Sequence, residues 1–338
     1  MKALLLAGGR GTRLHPLTTN QPKPMLPVLN RPWLEYLVEL LVENGITEMV
    51  FSLCHCPDII INHFGDGSRF GVKIEYVVEQ TQLGTGGAIK MAAPKLSDPF
   101  LAFNADIVTD INLRELLAFH EQKKALGTLT LTPVSNPSSY GVVKLADNGR
   151  ILEFVEKPSL PAATVALINA GVYVFKQELV DYIPAGRPVS IEREIFPALI
   201  EKDQPLFGYN GNFYWLDMGT QKRYLQLHQH ILTGRFKPPY SLTGSGIWVH
   251  PTAIVEPLAV LNAPCFIGPN CHIASRAELG PMVVLGENVT VEKGSIIRDS
   301  VLWDGASVGK GTRLEQVIVG KGVRIAAGDH LSSVALAD

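Results

Sequence analysis

The stretch LLLAGGRGTRL at residues 4–14 decides the fold of the first domain, because an apolar run breaks there into a glycine-rich turn. We interpret the run as a buried parallel strand that delivers a loop of backbone N–H groups to an anion. Glycine lets a main chain approach a ligand closely, and N–H groups in concave loops bind phosphate. Arg13 and Lys23, the latter between Pro22 and Pro24, would add fixed cations to such a site.

This loop does not match the two best-known phosphate-binding patterns. Leu14 stands where a dinucleotide-binding fingerprint would carry its third glycine, and no Walker A sequence is present. A glycine turn after a first strand is also common in α/β proteins, so the turn alone is a weak indication of phosphate binding.

Length and composition narrow the classes of protein. The chain has 338 residues, 46% of them hydrophobic, which is enough for two domains with sizeable cores. Its net charge of −2 argues against a nucleic-acid polymer as partner, because there is no basic excess to displace counterions. No apolar run reaches membrane-spanning length, and the run after Met1 is too short for a secretory signal. We therefore expect a cytoplasmic protein with no membrane partner.

The first two-thirds of the chain alternates strand and helix patterns. The helix signal between Pro32 and Gly45 is a clear example, with a proline at its start and a glycine at its end. This order is typical of a Rossmann-like α/β fold, a mixed and mostly parallel sheet with helices on both faces. From Thr128 onward, β-rich segments with a hairpin turn at Asn148-Gly149 would extend the sheet with antiparallel strands or form a flap.

A six-residue repeat fills the C-terminal part of the chain. Aliphatic residues recur at every sixth position from Val249 to Ile297, Trp303 continues the series, and the register then slips by one to Val308 and Leu314. A period of six fits three short strands per coil of a parallel β-helix, with the aliphatic residue turned inward. A β-sandwich would alternate with a period of two instead.

The four cysteines do not suggest a metal site. Cys54 and Cys56 flank His55, but this spacing is unusual for zinc, and neighbouring side chains of a strand point to opposite faces. Cys265 and Cys271 fall within the repeat, where we expect them to pack as small hydrophobic residues.

Two aspartates follow strand-like runs. Asp106 comes just after Phe100–Asn104, at the end of a central strand where α/β sheets bind ligands, and Asp217 follows a later strand. Either residue alone would be a typical helix N-cap. As a pair beside a phosphate loop they indicate metal ligation, because Mg²⁺ prefers oxygen ligands and commonly takes one or two carboxylates.

The segment EQTQLGTGGA at residues 79–88 leads from a strand into a helix. Its small residues would let a flat base lie against the backbone, or would serve only a tight strand–helix crossing. The carboxylate of Glu79 is acceptor-only, which suits the adjacent N1 and N2 donors of guanine better than the imide of uracil or thymine. This favours GTP, and the alternative is that Glu79 faces solvent or caps the following turn.

The full string AGGRGTRLHPLTTNQPKPMLP at residues 7–27 resembles the signature of the sugar-1-phosphate nucleotidylyltransferases, and later motifs extend the resemblance over essentially the whole chain. It implies a nucleotidyltransferase domain at 1–232, a linker at 233–246 and a left-handed β-helix of hexapeptide repeats at 247–338. The order of motifs is most similar to that of the members that use mannose 1-phosphate and GTP. The β-helix would then contribute contacts to a homo-oligomer.

The resemblance also implies roles for individual residues. The nucleotide would contact residues at four chain segments, namely Leu6, Ala7, Gly8, Gly9, Gly11, Thr12, Arg13, Lys23, Glu79, Gly84, Thr85 and Asn104. The sugar phosphate would contact Gly141, Glu156, Lys157, Asn169 and Gly171. The expected cofactor Mg²⁺ would be held by Asp106 and Asp217, although Ala105 replaces a glycine that the family often carries there. The catalytic set would be Arg13, Lys23, Asp106, Lys157 and Asp217.

The implied reaction joins a sugar 1-phosphate to an NTP and releases pyrophosphate. Within the family, UTP or dTTP with glucose 1-phosphate, or GTP with heptose 1-phosphate, is an alternative pair. Two other classes are also open. One is an acyltransferase that uses His250, His272 or His330 of the repeat as a base, and the other is a non-catalytic sensor of nucleotide sugars.

Overall fold

The computed structural model describes residues 1–161, 164–238 and 246–337. Residues 239–245 of the predicted linker at 233–246 therefore lie outside the described residues. The chain folds into two compact units. The first unit combines Met1–Gly9 with Leu37–Trp215, and the second combines Arg10–Tyr36 with Leu216–Asp338. We call the part of this unit from Arg10 to Arg31, which carries Lys23, the N-terminal loop. It therefore belongs to the same unit as the C-terminal repeat.

A nine-stranded mixed sheet forms the centre of the first unit. Its strands in chain order are β1 (Lys2–Leu6), β2 (Glu48–Leu53), β3 (Lys73–Val78), β4 (Phe100–Asn104), β5 (Gly127–Ser135), β6 (Gly141–Leu145), β7 (Ile151–Glu156), β8 (Val165–Phe175) and β9 (Leu206–Asn210). Strands β3, β2, β1 and β4 lie side by side and are parallel, as expected for an α/β fold.

The β-rich segments continue this sheet. Strand β8 runs antiparallel to β4, β5 and β6, β7 is antiparallel to β6, and β9 is parallel to β5. The turn between β6 and β7 has Gly149 at φ +84°, as the predicted hairpin requires. Extension of the sheet, the first of the two predicted arrangements, is therefore the one observed, and the Rossmann-like fold class is confirmed.

The helices follow the predicted segments with small differences at their ends. The α-helices of the described residues are α1 (Trp33–Glu43), α2 (Pro57–Phe64), α3 (Gly84–Ala92), α4 (Leu113–Lys123), α5 (Phe196–Glu201) and α6 (Gln221–Leu232). Asn112 caps α4 by accepting hydrogen bonds from the N–H groups of Arg114 and Glu115. A π-helical turn, Ile191–Ile195, directly precedes α5.

Aromatic side chains form a rigid core behind the antiparallel half of the sheet. The rings of Phe100, Tyr173, Phe175 and Phe196 are almost fully buried and lie within 5.1–6.2 Å of a neighbour in the group. Offset and edge-to-face contacts of this kind add stability beyond the area that they bury. Strand β8 is thereby fixed along the stretch that carries the predicted sugar-binding residues.

The C-terminal part of the second unit is a parallel β-helix, consistent with the left-handed β-helix that the family resemblance implies. Its strands form one sheet of six and two of five. The first sheet contains Ile247–Val249, Cys265–Ile267, Val283–Leu285, Val301–Leu302, Ile318–Val319 and Ala335–Leu336. The second contains Ile254–Val255, His272–Ile273, Thr290–Val291, Ser307–Val308 and Arg324–Ile325, and the third contains Val260–Leu261, Glu278–Leu279, Ile296–Arg298, Arg313–Glu315 and His330–Ser332.

The register of the β-helix differs from the predicted one at a single point. Ile267 pairs with Leu285, 18 residues later, but Leu285 pairs with Leu302, only 17 residues later. Leu302 therefore joins the aliphatic core, and Trp303 is not part of it. The expectation that Trp303 continues the inward series is wrong, because the coil from Leu285 to Leu302 is one residue shorter than the coil from Ile267 to Leu285, as are the two coils that follow it.

The cysteines of the repeat behave as hydrophobic residues. Cys265 and Cys271 lie in the core of the β-helix, where burial raises the pKa of both thiols to about 11. Among the described residues, no group of three or more His, Cys, Asp or Glu side chains could hold a metal ion. Within the same ranges, no helix has both the length and the apolar character that a membrane crossing needs.

His120 on α4 is a buried histidine whose neutral form fits the fold. Its Nδ1 is hydrogen-bonded to the hydroxyl of Thr128 at 2.8 Å, and its Nε2 has no partner among the described residues. Burial, with a smaller contribution from Lys176, lowers its pKa to about 4.

We predict that His120 makes the protein acid-sensitive. Because the unfolded chain binds a proton near pH 6.5 and the folded one does not, the contribution of His120 to the free energy of unfolding should fall by about 3 kcal/mol between pH 6.5 and pH 4. Urea unfolding at several pH values measures this slope. His120→Gln should flatten it, whereas His330→Gln, at an exposed position, should not. An unchanged slope in His120→Gln would contradict the assignment.

Candidate active site

A buried carboxylate surrounded by cations lies in the second unit. Asp217 ends the strand Trp215–Asp217, and only 7% of the residue is exposed. Lys23 Nζ lies 3.4 Å from its Oδ1. Arg13 Nη2 and Arg223 Nη1 lie 3.9 and 3.6 Å from its Oδ2. Burial of a carboxylate is tolerated when it is paired, and three cations converging on one carboxylate make a site suited to further negative charge.

Prolines hold Lys23 in this position. Lys23 opens a short 3-10 turn, Lys23–Met25, with Pro22 before it and Pro24 inside it. Proline fixes its own φ and restricts the residue before it, so both sides of Lys23 are constrained. Lys23 itself is only 6% exposed, and its ion pair with Asp217 accounts for this burial, since lysines are rarely buried unless they are paired.

Gly11 lets the glycine-rich turn fold back toward Lys23. It has φ +62°, and its carbonyl accepts a hydrogen bond from Thr18 Oγ1 at 2.9 Å. A Cβ at this position would lie 3.1 Å from the Thr18 side chain and 3.2 Å from that of Lys23. The turn Thr12–Leu14 follows directly and carries Arg13. A side chain at position 11 would therefore disturb the approach of the turn to Lys23.

Two residues of this cluster were not assigned from the sequence. A Cβ at Gly219 would lie 2.7 Å from an oxygen of Asp217 and 2.8 Å from Arg13 Nη2, so glycine allows these two groups to meet. Arg223 lies in the first turn of α6. Its spacing from Asp217 was the sequence signal that could have identified Arg223, because a basic residue in the first turn of the next helix lies close to the end of the strand.

In the first unit, β1 leads into Ala7, Gly8 and Gly9. The N–H of Ala7 donates to the carbonyl of Ser52 at 2.9 Å, which continues the pairing with β2. A Cβ at Gly8 would lie 3.2 Å from Cys54 Cβ, whereas a Cβ at Gly9 would meet no described atom within 4 Å. Packing therefore explains glycine at position 8 but does not explain it at position 9.

Both oxygens of Glu79 accept hydrogen bonds from within the first unit. Ser52 Oγ donates to Oε1 at 2.9 Å, and the N–H of Leu83 donates to Oε2 at 2.8 Å. Glu79 is 6% exposed. Glu79 therefore caps the following turn through Leu83 and does not face solvent. An ionised carboxylate can accept more bonds than these two, so its predicted contact with a base stays a prediction.

The LGTGG segment packs tightly on the backbone at Val189. The N–H of Gly86 donates to the Val189 carbonyl at 2.9 Å, and the N–H of Val189 donates to the carbonyl of Leu83 at 2.8 Å. Gly84 has φ +72°, and a Cβ there would lie 2.5 Å from the same carbonyl oxygen. This close packing is on a loop residue rather than on a strand, and it requires glycine at position 84.

Side chains of β4 and β8 form a polar cluster. Asn169 Nδ2 donates to Tyr173 Oη at 2.7 Å, and its Oδ1 accepts from the N–H of Gly171 at 3.1 Å. A Cβ at Gly171 would lie 2.9 Å from Asn104 Nδ2, so this side chain adjoins the same turn. Burial raises the pKa of Tyr173 well above its ordinary value, which keeps its hydroxyl protonated. The sequence singled out all of these residues except Tyr173.

The end of β7 carries Glu156 and Lys157. Lys157 Nζ lies 3.7 Å from Glu156 Oε1. The backbone of Lys157 has φ +52°, a conformation that residues other than glycine rarely adopt. A Cβ at Gly141 would lie 2.4 Å from the ring of Phe154 and 3.0 Å from Glu156 Oε2. These three predicted sugar-phosphate residues are therefore neighbours.

Glu192 joins this neighbourhood to the LGTGG segment. Its Oε2 accepts hydrogen bonds from Thr85 Oγ1 at 2.6 Å and from Ser190 Oγ at 2.8 Å. Burial, and next the charge of Glu192, raise the pKa of Glu156. Glu192 lies in the π-helical turn. Sequence reasoning missed it because no recognised motif contains Glu192 together with Thr85 or Ser190.

The structure thus brings the predicted residues together in groups within each unit. Arg13, Lys23 and Asp217 meet in the second unit. Asn104, Asn169 and Gly171 form one group in the first unit, and Gly141, Glu156 and Lys157 form another. Asp106 lies two residues beyond β4, in the first unit.

Comparison with known proteins agrees with this arrangement. The family model described as "Nucleotidyl transferase" matches residues 2–234, and the model described as "GMPPB C-terminal domain" matches residues 261–337. The mannose-1-phosphate guanylyltransferase of Mycobacterium tuberculosis is 38% identical, over 87% of this chain and 82% of its own. The UTP–glucose-1-phosphate uridylyltransferase of Synechocystis is 32% identical, over 94% of this chain and 87% of its own.

A solved structure extends the comparison to three dimensions. A putative glucose-1-phosphate thymidylyltransferase from Bacillus anthracis superposes with a TM-score of 0.60 at 25% identity, covering 67% of this chain and 93% of that one. The matched family model spans more than half of the chain, and the relatives are similar over most of their length. The chain belongs to the nucleotidyl transferase family.

Proposed function

We propose that this protein condenses a sugar 1-phosphate with an NTP to give a nucleotide sugar and pyrophosphate, with mannose 1-phosphate and GTP as the preferred pair. The buried carboxylate of Asp217 with Lys23, Arg13 and Arg223 around it is the observation that carries the proposal. The reaction must bring two polyanions together, so the main task of a catalyst is charge neutralisation and positioning.

The chemistry proposed is an in-line displacement. An oxygen of the sugar phosphate attacks the α-phosphorus, and because this oxygen is already anionic at neutral pH no general base is required. Lys23 and Lys157 would hold the two phosphates at the reacting centre, and Arg13 would neutralise the departing pyrophosphate. The left-handed φ of Lys157 supports a role for this residue, since strained backbone is concentrated at functional sites.

We propose Mg²⁺ as the cofactor, held by Asp106 and Asp217. The donor chemistry fits, because both side chains offer carboxylate oxygens, and Asp217 lies among the cations that would bind phosphate. A bound Mg²⁺ would neutralise charge on the phosphates and orient them. Lys23 and Arg13 would then share the charge of the substrates with the ion rather than acting alone.

The sugar phosphate is assigned to the residues at the ends of β7 and β8. Glu156 and Asn169 would hydrogen-bond sugar hydroxyls, and Gly141 and Gly171 would offer backbone N–H groups. Because its pKa is raised, Glu156 carries a proton to higher pH than an ordinary glutamate, so it could donate as well as accept. The choice of mannose rests on the name of the Mycobacterium tuberculosis relative.

The nucleotide is assigned to the glycine-rich turn and to the segment around Glu79. Gly9 supports this, because no packing of the described residues requires glycine there and a bound phosphate would. Glu79 supports guanine, because its carboxylate can accept from two adjacent N–H donors of that base.

A matrix of substrates tests the proposal. Pyrophosphate release by the purified protein is measured with GTP, UTP, dTTP and ATP against mannose, glucose and heptose 1-phosphates. We expect the highest kcat/KM for GTP with mannose 1-phosphate. Release with no pair would leave a non-catalytic sensor of nucleotide sugars, and faster use of UTP with glucose 1-phosphate would overturn the substrate assignment.

We predict that Lys23→Ala and Asp217→Asn each lower kcat by roughly 10²–10³-fold, because each removes a preorganised charge at the reacting phosphates. Circular dichroism and a thermal melt of each variant check that the fold persists. Lys222→Ala is the matched control, since this lysine is exposed on the first turn of α6. Wild-type turnover in folded Lys23→Ala would refute the role of this lysine.

We predict that Glu79→Gln lowers kcat/KM for GTP relative to UTP, because the amide loses one of the two acceptors that guanine needs. Ser52→Ala is the control, since it removes one internal hydrogen bond of Glu79 and keeps the charge. An equal loss with every NTP in both variants would mean that Glu79 only caps its turn.

A further inference from the structure

Trp303 of the β-helix contacts helix α6 instead of its own core. Its Nε1 donates a hydrogen bond to Tyr224 Oη at 2.9 Å, and the two rings meet edge to face with centroids 6.3 Å apart. Tyr224 is fully buried and Trp303 is 5% exposed. The shortened coil between Leu285 and Leu302 produces this orientation, because it places Leu302 in the core and Trp303 one position beyond it.

Tyr224 connects Trp303 to the N-terminal loop. Its hydroxyl donates to the carbonyl oxygen of Pro27 while accepting from Trp303. A tyrosine hydroxyl has one proton to donate, so both partners are used in a single arrangement. Burial raises the pKa of Tyr224, so the hydroxyl stays a donor throughout the working pH range. We call Trp303, Tyr224 and Pro27 the positioning chain.

Pro27 lies close to Lys23 along the backbone. The strand Pro27–Val28 starts two residues after the turn Lys23–Met25, and the N–H of Leu26 donates to the carbonyl of Lys23 at 3.1 Å. The next carbonyl, that of Val28, accepts from Tyr36 Oη at 2.7 Å. Two tyrosines therefore hold consecutive carbonyls of the loop, and Tyr224 is connected to the β-helix through Trp303.

Helix α6 also connects the β-helix to Asp217. Arg223, the neighbour of Tyr224, lies 3.6 Å from the Asp217 carboxylate. Further along α6, Gln229 Nε2 donates to Asp299 Oδ1 of the β-helix at 3.3 Å. One helix thus meets the β-helix at two places and supplies one of the cations around the carboxylate.

A second contact shows that the loop rests on the β-helix itself. A Cβ at Gly268 would lie 2.4 Å from Asn30 Nδ2, so glycine is needed where the loop side chain meets the second coil. The loop is therefore seated on the β-helix directly at Asn30 and indirectly through Tyr224.

We propose that Trp303 is a positioning residue for catalysis, because the positioning chain fixes Lys23 relative to Asp217. This inference rests on the proposed function of Lys23 and Asp217 in phosphate transfer. The β-helix then helps to set the position of Lys23 relative to Asp217, in addition to any role that it has in contacts between subunits. A small displacement of a positioned charge is costly to turnover, whereas binding of the sugar by the first unit is not expected to depend on it.

Kinetics of conservative variants test the proposal. Both Trp303→Phe and Tyr224→Phe keep an aromatic ring. Trp303→Phe removes the hydrogen bond to Tyr224, whereas Tyr224→Phe removes that bond and the one to Pro27. We expect kcat to fall roughly three- to tenfold in Trp303→Phe, the range expected for loss of one buried hydrogen bond, and at least as far in Tyr224→Phe, while KM for the sugar 1-phosphate stays within about twofold of the wild type. Trp248→Phe is the matched control, because this indole stacks on Phe266 in the same β-helix at 4.4 Å and is not part of the positioning chain.

The double variant Tyr224→Phe/Trp303→Phe tests whether the two hydrogen bonds act together. Because Tyr224→Phe already removes both the bond to Trp303 and the bond to Pro27, the double variant should lose no more kcat than Tyr224→Phe alone. Losses that multiply would show that the two residues act separately, and would overturn the chain as drawn.

Hydrogen exchange gives a readout that does not depend on activity. In Trp303→Phe, the amides between Lys23 and Arg31 should exchange faster than in the wild type, while those of Val283–Leu285 should not change. If the wild type releases no pyrophosphate with any substrate pair, the proposed function fails and this measurement still decides whether Trp303 orders the loop.

Three results would overturn the proposal. The first is wild-type kcat in both folded single variants. The second is an equal loss of kcat in Trp248→Phe, which would indicate general loosening of the β-helix. The third is faster exchange of the loop at unchanged kcat, which would show that the chain orders the loop without serving turnover.

Discussion

A carboxylate with 7% exposure, Asp217, constrains the whole second unit. Burial of such a group is tolerated when cations pair with it, and two of the three cations described come from a distant part of the chain. Lys23 and Arg13 belong to Arg10–Tyr36, whereas Arg223 belongs to α6, close to Asp217 in sequence. The carboxylate can therefore be buried only when these segments close around it. The ion pairs that stabilise the unit also bring three cationic side chains to one place.

The β-helix was the part of the fold most open to prediction, because every coil repeats the same inward aliphatic positions. The central strands and the hairpin at Gly149 were also predicted closely, since each depends on local pattern and turn chemistry. Trp303 was wrongly assigned to the core of the β-helix. The spacing of aliphatic residues shows that the six-residue register slips, but it does not show at which position. Only the pairing of Leu285 with Leu302 locates the missing residue.

Within the candidate site, local motifs indicated the groups that adjoin a glycine turn or a strand end. Partners that come from elsewhere in the chain were not predictable in this way. Thr85 meets Glu192 across 107 residues, and Ser52 meets Glu79 across 27. Glu79 shows the consequence, because its motif gave no sign of the hydrogen bond that Ser52 donates to its carboxylate. Gly84 and Gly9 show the same contrast, since packing requires glycine at the first and not at the second.

The two segments of the second unit are far apart in the chain, and this has a consequence for biosynthesis. Lys23 is separated from Asp217 by 194 residues, and Pro27 from Tyr224 by 197. A chain leaving the ribosome exposes Arg10–Tyr36 long before these partners are translated, although early segments ordinarily fold first. A nascent chain therefore carries Lys23 without its buried carboxylate until the segment that contains Asp217 has been translated.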